Sequence, residues 1–348
     1  MLEKFLLFLL KKIPPEFSHK IVILLLRLGV NRKKQLIIDK KLSVNLFGYR
    51  ISHPVGLAAG FDKNAEALKG LIKLNFSFIE VGTVTPKAQP GNNKPRVFRF
   101  DKEQSIFNSL GFPNKGAIKI LKNLQKIRRS HQLGEEPLIG VNIGYNKLSD
   151  NPVQDYLTCL KIFFKVADYI CINISSPNTP GLRNFQNKEK LSQLLDKINK
   201  KRAFLEKKYN RTMPLAIKIS PDIKTNDLHS LVFICKQYNC NTIIATNTSI
   251  NKKLLSSYNL ENRQGGLSGK GIFNYSNSVL KELKNITSND IKIIGVGGVH
   301  NTKTLREKIS LGADAIQVYS GLIFNGPSFV QKIVSELSSE NRSFKIPR

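Results

Sequence analysis

The chain of 348 residues contains only four cysteines and five histidines. Cys159, Cys171, Cys235 and Cys240 show no Cys-x-x-Cys spacing and fall in apolar stretches, a pattern typical of reduced core residues rather than of a disulfide framework or a zinc site. The histidines lie in no catalytic motif, and Gly-x-Ser-x-Gly is absent. Because a Ser-His-acid triad needs a histidine to accept the hydroxyl proton, these absences argue against a triad hydrolase.

Long hydrophobic runs are also missing, since no run approaches the roughly 20 apolar residues that a spanning helix requires. The first forty residues contain two shorter apolar clusters, Phe5 to Leu10 and Ile21 to Leu26, separated by Pro14-Pro15 and bordered by basic residues. No small-residue cleavage site follows, so we expect the segment to stay on the mature protein. Two interpretations remain open: a helical pair at the membrane interface that contacts anionic headgroups, or a pair packed on its own domain.

Acidic residues are scarce, with 25 Asp and Glu against 55 Lys and Arg and a formal net charge of +30 at pH 7. Clustered basic residues would indicate a nucleic-acid binder. Here they are spread along the chain together with Asn, as in the segment 187–202. This pattern favours a lysine-rich composition on solvated helix faces and predicts no nucleic-acid partner; attraction to an anionic surface or substrate is the alternative.

Short apolar, β-branched runs alternate with helical patterns after residue 50. Eight runs predict strands, at 54–59, 76–83, 138–144, 168–174, 214–220, 241–247, 292–298 and 315–321. Strands that alternate with helices indicate a parallel sheet, and their number matches a closed (β/α)8 TIM barrel. We therefore predict an α/β fold with an amino-terminal amphipathic, membrane-associating helical extension (1–42), the barrel (43–338) and a carboxyl-terminal tail (339–348).

Polar and glycine residues follow the carboxyl ends of the predicted strands, where TIM-barrel enzymes place their active sites. These residues are mainly Asn, Thr, Ser, Lys and Gly, whereas a metal site needs converging His, Asp or Glu, so no metal is predicted. Three glycine-rich segments, GGLSGKG, GVGGV and YSG, favour a phosphate-bearing cofactor. GVGGV is not the Gly-x-Gly-x-x-Gly fingerprint, which argues against a Rossmann dinucleotide site.

Ten motifs, in chain order, resemble dihydroorotate dehydrogenase of the membrane-associated, quinone-dependent class 2. They are GLAAGFDKN, EVGTVTPKAQPGNNKPRVFR, NSLGFPNKG, VNIGYNK, NISSPNTPGLR, KISPD, ATNTS, GGLSGKG, IIGVGGV and QVYSGLIFNGP. The resemblance runs from about residue 43 to 335 and includes the helical extension. It implies an FMN-containing barrel that oxidises (S)-dihydroorotate to orotate in de novo pyrimidine (UMP) biosynthesis and passes the electrons to a membrane quinone.

The resemblance also implies a place in the cell. A protein of this class is peripheral to the membrane, and a bacterial inner membrane, on its cytoplasmic side, is preferred because no transit peptide precedes the extension. The expected oligomeric state is a monomer.

The matching motifs carry site residues over to this chain. The resemblance assigns FMN binding to Ala59, Gly60, Phe61, Asp62, Lys63, Thr83, Asn142, Asn173, Lys218, Thr246, Gly269, Gly298, Tyr319 and Ser320. It assigns dihydroorotate binding to Lys63, Asn108, Ser109, Leu110, Gly111, Phe112, Asn173, Asn178, Asn247 and Thr248. Of the two serines in NISSPNTPGL it makes Ser176 the base that removes the C5 proton and leaves Ser175 as loop structure, with Thr179 as a proton relay and Phe112 as a wall of the site.

The chemistry of these side chains agrees with the assignment. Lys63 can pair with a carboxylate, and asparagines offer both donors and acceptors to the alternating N–H and C=O groups of a pyrimidine. Lys218 beside a flavin would stabilise the negative charge of its reduced form. Two alternatives remain: a flavin-dependent tRNA dihydrouridine synthase, whose catalytic cysteine and carboxyl-terminal helical extension are not found here, and a non-catalytic membrane-surface barrel protein.

Overall fold

The computed structural model describes residues 2–30, 36–287 and 289–339. Its strands are β1 (Val44–Leu46), β2 (Tyr49–Ile51), β3 (Val55–Leu57), β4 (Phe78–Val84), β5 (Val97–Phe100), β6 (Ser105–Asn108), β7 (Leu138–Ile143), β8 (Tyr169–Asn173), β9 (Leu215–Ile219), β10 (Thr242–Ala245), β11 (Gly266–Gly269), β12 (Lys292–Val296) and β13 (Ala315–Val318). Its α-helices are α1 (Leu2–Lys12), α2 (Pro15–Leu28), α3 (Leu68–Leu71), α4 (Ala117–Ile127), α5 (Pro152–Phe163), α6 (Lys188–Tyr209), α7 (Thr225–Gln237), α8 (Lys252–Ser256), α9 (Phe273–Ile286), α10 (Thr302–Ser310), α11 (Ser320–Asn325) and α12 (Phe329–Ser339).

Eight parallel strands close into a barrel in the order β3-β4-β7-β8-β9-β10-β12-β13, with β13 paired to β3. Seven of the eight predicted runs contain one of these strands, and the run 76–83 covers β4 except for its last residue, so the predicted TIM barrel is confirmed. The runs are continuously apolar because both strand faces are covered: the outer face packs against the helices and the inner face fills the barrel.

Two small sheets complete the barrel. The β1-β2 hairpin brings Phe47 onto Tyr169 at the start of β8, with ring centroids 3.7 Å apart, and so covers the amino-terminal end. The antiparallel sheet β11-β6-β5 combines the segment after β4 with the segment after β10. It stands at the carboxyl-terminal end, where it contributes Asn108 and Gly269 to the cavity described below. Neither sheet is among the predicted elements, since none of their strands forms a continuously apolar run.

The predicted amino-terminal helices are present as α1 and α2, which meet at Pro14 and Pro15. Leu26 of α2 packs so closely on α3 that a Cβ built on Gly70 would lie 2.5 Å from the Leu26 carbonyl oxygen. Lys73 donates to the carbonyl of Gly29 at 2.9 Å, at the end of α2. The extension therefore packs directly on the barrel.

The outward side of the extension is apolar. Its exposed large apolar side chains are Phe5, Leu6, Phe8, Leu9, Phe17, Leu24, Leu25, Leu28 and Val30. Among residues 2–30, 36–287 and 289–339, no helix combines the length and the apolar character needed to cross a bilayer. The interpretation as a pair packed on its own domain is confirmed, and contact of the exposed apolar side chains with a membrane stays a prediction. The predicted tail, 339–348, lies outside the described residues except for Ser339.

Candidate active site

A cavity opens at the carboxyl-terminal end of the barrel, where all eight strands end. Its lining is formed by Ala58, Ala59, Gly60, Lys63, Thr83, Asn108, Leu110, Gly111, Phe112, Pro113, Asn173, Ser176, Pro177, Asn178, Lys218, Thr246, Asn247, Thr248, Ser268, Gly269, Ile272, Val296, Gly297, Gly298, Val299, Gln317, Val318, Tyr319 and Ser320. Residues far apart in the chain meet here because parallel strands all present their carboxyl ends at one edge.

Most of the predicted site residues line this cavity, and five do not: Phe61, Asp62, Ser109, Asn142 and Thr179. Asp62 is buried, and its carboxylate accepts hydrogen bonds from the backbone N–H groups of Glu66 at 2.9 Å and Ala67 at 2.7 Å. Burial raises the pKa of this carboxyl group. Asp62 therefore holds the turn that carries Lys63, rather than facing the cavity itself.

Lys63 brings a positive charge to the cavity wall. Its ammonium group donates to the carbonyl of Gly60 at 2.6 Å. Burial lowers the pKa of Lys63 from 10.5 to about 8, while the neighbouring carboxylates of Asp62 and Glu16 oppose that shift. An anion bound against this ammonium group would favour its charged form.

Lys218 and a group of glycines suit an anionic, phosphate-bearing ligand. Lys218 is only 5% exposed, and its ammonium group forms no hydrogen bond or ion pair with the rest of the described chain. Gly269, Gly297 and Gly298 line the cavity with φ values of +93°, +115° and +75°, a backbone conformation that glycine adopts without strain. Such loops present backbone N–H groups without intervening side chains, so these residues fit the phosphate of a flavin nucleotide.

A buried carboxylate stands beneath the cavity. Glu80 of β4 is 0% exposed and accepts hydrogen bonds from Asn142 Nδ2 at 2.8 Å, Tyr169 Oη at 3.2 Å and Gln317 Nε2 at 3.0 Å. Because a carboxylate only accepts, the amides of Asn142 and Gln317 must turn their NH2 groups toward it. The Oε1 atom of Gln317 is left without a partner in the described chain, and Gln317 lines the cavity, where this atom can accept a hydrogen bond from a ligand.

The orientation of the Asn142 amide determines the orientation of the polar groups that are hydrogen-bonded to it in turn. With its Nδ2 on the carboxylate, Asn142 accepts through Oδ1 from Thr83 Oγ1 at 2.5 Å and from Asn173 Nδ2 at 3.1 Å. Asn173 then accepts through its own Oδ1 from the hydroxyl of Ser175 at 3.1 Å, and Ser175 accepts from Asn247 Nδ2 at 2.9 Å. The asparagines at the cavity therefore have defined donor and acceptor directions before any ligand binds.

The loop NISSPNTPGL separates its two serines. Ser175 is 0% exposed and bonded into the amide chain, whereas Ser176 lines the cavity. The Ser176 hydroxyl accepts from the backbone N–H of Asn178 at 3.2 Å. Thr179 is buried beside them, and within residues 2–30, 36–287 and 289–339 its hydroxyl has no hydrogen-bond partner. No hydrogen bond therefore joins Thr179 directly to Ser176.

The extension reaches the same cavity through aromatic contacts. His19 of α2 meets Phe61 edge-on with centroids 5.3 Å apart, and Phe61 meets Tyr319 of the cavity wall at 6.2 Å. Burial lowers the pKa of His19 to about 3, so this ring is neutral at physiological pH. Nearby, Glu16 of α2 pairs with Arg96 of the barrel at 3.0 Å. These contacts connect the helical extension to the cavity.

Comparison with known proteins shows the family to which this chain belongs. The profile of the dihydroorotate dehydrogenase family matches residues 41–340. The chain belongs to the dihydroorotate dehydrogenase family. Among its curated relatives, "Dihydroorotate dehydrogenase (quinone)" of Bartonella tribocorum is 40% identical over 93% of this chain and 88% of its own length. The protein of the same name from Neisseria meningitidis is 44% identical over 85% of this chain and 87% of its own length.

Solved structures of the family share the fold. A crystal structure of DHODH from Eimeria tenella in complex with ferulenol aligns with a TM-score of 0.87 and 33% identity, over 93% of this chain and 90% of that chain. The ligand-free form from the same organism aligns with a TM-score of 0.86 and 34% identity, over 93% and 94%. Membership of the dihydroorotate dehydrogenase family makes the resemblance drawn from the ten motifs the preferred interpretation over a tRNA-modifying enzyme or an inactive barrel.

Sequence reasoning missed several residues of this dihydroorotate dehydrogenase site. Glu80 and Gln317 lie inside predicted strands, where both read as polar interruptions of an apolar run. Gly297 lines the cavity beside Gly298 and belongs to the motif GVGGV, from which only Gly298 was assigned to the site. An acidic residue within an otherwise apolar barrel strand is a signal that could have identified Glu80, because a buried carboxylate requires several donors.

Proposed function

We propose that this protein is a quinone-dependent dihydroorotate dehydrogenase that oxidises (S)-dihydroorotate to orotate in de novo pyrimidine (UMP) biosynthesis with FMN as its cofactor. The observation that carries the proposal is the cavity itself. It combines a lysine and amides for a small planar anion, glycine loops for a phosphate, and a buried serine between them. The family is flavin-dependent, and the quinone named for its relatives supplies the acceptor.

The flavin side of the cavity would be formed by strand ends and glycine loops. Lys218 would face the isoalloxazine ring, Gly269, Gly298 and Ser320 would bind the phosphate, and the predicted FMN ligands that contact the cavity would surround the rest. Asn142 lies beneath the cavity and would orient Thr83 and Asn173 through its hydrogen bonds with them. FMN held by these residues would supply the redox chemistry, as acceptor at N5 of the hydride from C6 of the substrate and as donor of electrons to the quinone.

The substrate side would be formed by Lys63, the segment 108–112, and the amides of Asn173, Asn178 and Asn247, with Thr248. Thr248 Oγ1 is buried without a partner in the described chain and lines the cavity, so it is available to a ligand. Lys63 would bind the carboxylate of dihydroorotate. Asn178 donates to Asn108 at 3.2 Å, which connects the serine loop to the segment that carries Phe112.

Ser176 would remove the C5 proton. A serine hydroxyl is a weak base, so the site must exclude bulk water and pass the proton onward. Ser176 is 5% exposed, and Phe112 stands in the wall of the same cavity. Thr179 is the proposed relay partner; because no direct hydrogen bond joins it to Ser176, a water molecule or a shift of the loop would complete the path.

The quinone would approach from the extension. The rings of His19, Phe61 and Tyr319 lead from α2 to the cavity wall, and the exposed apolar side chains of residues 5–30 suit a peripheral position on the membrane surface. The bacterial origin of the quinone-named relatives supports the cytoplasmic side of a bacterial inner membrane. The proposed working unit is a monomer.

An anaerobic flavin experiment tests this function. The purified protein should show a flavin spectrum, and dihydroorotate should bleach it in the absence of oxygen. A quinone added afterwards should restore the oxidised spectrum. If dihydroorotate leaves the flavin oxidised, the proposed substrate is wrong; if bleaching occurs but no quinone restores the colour, the proposed acceptor is wrong.

Substrate-site affinity should depend on pH through Lys63. Its pKa of about 8 means that the ammonium form dominates below pH 8 and is lost above it. We therefore expect the dissociation constant of orotate, measured from the flavin absorbance shift, to rise between pH 7 and pH 9, approaching about tenfold per pH unit at the alkaline end. Lys63→Met should bind orotate weakly at every pH. A flat wild-type profile over this range would contradict the role of Lys63.

A further inference from the structure

Lys308 of α10 is a buried cation that the site described above does not use. It is 0% exposed, and its ammonium group donates to Ser276 Oγ at 2.9 Å and to Asn277 Oδ1 at 2.7 Å, both on α9. It also lies 5.3 Å from the ring centroid of Phe273. These three partners are uncharged. A cation so enclosed is costly unless a negative charge lies near enough to compensate it.

Glu307, on the same helix as Lys308, compensates the positive charge of Lys308 only weakly. Glu307 is exposed and reaches Lys308 through Asn277, whose Nδ2 donates to Glu307 Oε1 at 2.8 Å. Burial lowers the pKa of Lys308 to about 7, and Glu307 opposes that shift. A second source of negative charge would hold Lys308 in its ammonium form.

The route from Lys308 to the cavity is short. Ser276 accepts from Lys308 and has one proton to donate, either to the carbonyl of Phe273 at 2.9 Å or to that of Gly297 at 3.3 Å. A Cβ built on Gly297 would lie 2.7 Å from Ser276 Oγ, and one built on Gly298 would lie 2.6 Å from Phe273 Cβ. The side chains of α9 therefore pack directly on the back of the glycine loop.

The contact between Ser276 and the Gly297 carbonyl also fixes the orientation of the Gly298 N–H. The Gly297–Gly298 peptide is trans, so its C=O and N–H groups point in opposite directions. With the Gly297 carbonyl turned to Ser276, the Gly298 N–H points away from that hydroxyl, and both glycines line the cavity. The next carbonyl along the chain, that of Gly298, accepts a hydrogen bond from His300 Nδ1 at 2.7 Å. Hydrogen bonds from side chains therefore orient two successive peptide groups of the loop.

We propose that Lys308 is a positioning residue for the phosphate group of the flavin cofactor. Through Ser276 it holds the Gly297-Gly298 loop with an N–H directed at the phosphate, and its own buried charge attracts the phosphate across the loop. The inference rests on the proposed FMN cofactor, and the phosphate is the negative charge that the surroundings of Lys308 lack. Attraction between charges separated by protein rather than water is strong enough to affect affinity measurably.

The test compares FMN with riboflavin, which lacks the phosphate, as ligands of the full-length protein freed of flavin. Dissociation constants are measured from quenching of flavin fluorescence. We expect Lys308→Met to raise the constant for FMN by about tenfold to a hundredfold and to leave that for riboflavin within about twofold. Ser276→Ala keeps the charge but breaks the link to Gly297, so it should give a smaller loss, also confined to FMN.

A control variant removes a partly buried cation from a distant part of the fold. Arg128→Met deletes the partner of Asp168, a pair 2.7 Å apart that precedes β8 at the opposite end of the barrel, and should leave both flavin affinities unchanged. Equal losses for FMN and riboflavin in Lys308→Met and in Ser276→Ala would overturn the inference, because they would indicate a general packing defect. Unchanged FMN affinity in both variants would also overturn it. A wild-type protein that binds neither flavin would refute the proposed function as well.

Discussion

Replacing Ser176 by alanine should leave a yellow flavoprotein that dihydroorotate reduces about 10²- to 10⁴-fold more slowly than it reduces the wild type. The substitution removes the hydroxyl oxygen that would take the C5 proton, while the neighbouring flavin ligands remain in place. In the part of the chain that the structure describes, the Ser176 hydroxyl makes one hydrogen bond, with the backbone N–H of Asn178, so its loss should not disturb the fold. The measurement is the rate of anaerobic flavin bleaching by stopped-flow absorbance.

Ser175→Ala is the matched control for this variant, because it removes a hydroxyl from the adjacent residue of the same loop. Ser175 is bonded to Asn173 and Asn247 rather than exposed to the cavity. Its loss should weaken orotate binding by disturbing the orientation of these amides, yet should slow bleaching at saturating substrate much less. If Ser176→Ala bleaches at the wild-type rate, Ser176 is not the base; if the two variants are equally slow, the loop matters only for its structure.

Deleting residues 1–40 should abolish reduction of the quinone while leaving reduction of the flavin by dihydroorotate largely intact. The deletion removes α1 and α2, and with them the His19–Phe61 contact and the Glu16–Arg96 ion pair beside the cavity wall. The proposed substrate ligands all lie beyond residue 40, so the first half-reaction keeps its machinery. Both half-reactions are measured anaerobically on the same preparation, the second by return of the oxidised spectrum when quinone is added.

A water-soluble quinone with a short side chain separates two effects of the same deletion. If the helices form part of the acceptor site, the truncated protein should fail with this quinone as well as with a membrane-embedded one. If they serve only to attach the protein to the membrane, the short quinone should reoxidise its flavin at the wild-type rate. Equal loss of both half-reactions would contradict the proposed division, provided that the truncated protein retains its flavin and a cooperative thermal transition.

The predicted strands agree with the barrel because their signal is local. A strand covered on both faces is a short, continuously apolar run, and eight such runs separated by helical patterns can be counted without knowing what they touch. The strands of the β11-β6-β5 sheet carry no such signal. Each contains polar residues within its four positions, and the strands pair because the barrel brings the segments after β4 and β10 to the same end.

The site residues show the same difference between what the local sequence indicates and what the tertiary fold decides. The motif NISSPNTPGL does not by itself distinguish its two serines, and the resemblance separated them only by position in a family pattern. The structure separates them by environment, with Ser175 bonded into the amide chain and Ser176 at the cavity. Burial and hydrogen-bond direction depend on residues far along the chain, which is why local sequence does not specify them.

The sequence by itself therefore determined the eight-stranded barrel, the helical extension and most of the residues that converge on the cavity. Only the tertiary structure decided which polar groups are enclosed and what they face. Lys308 is one of many lysines in the sequence, and the fold packs this residue of α10 against α9 behind a glycine loop. Glu80, beneath the cavity, acquires its donors from three other strands. Electrostatic roles of this kind arise from burial and neighbours, and both are properties of the folded chain.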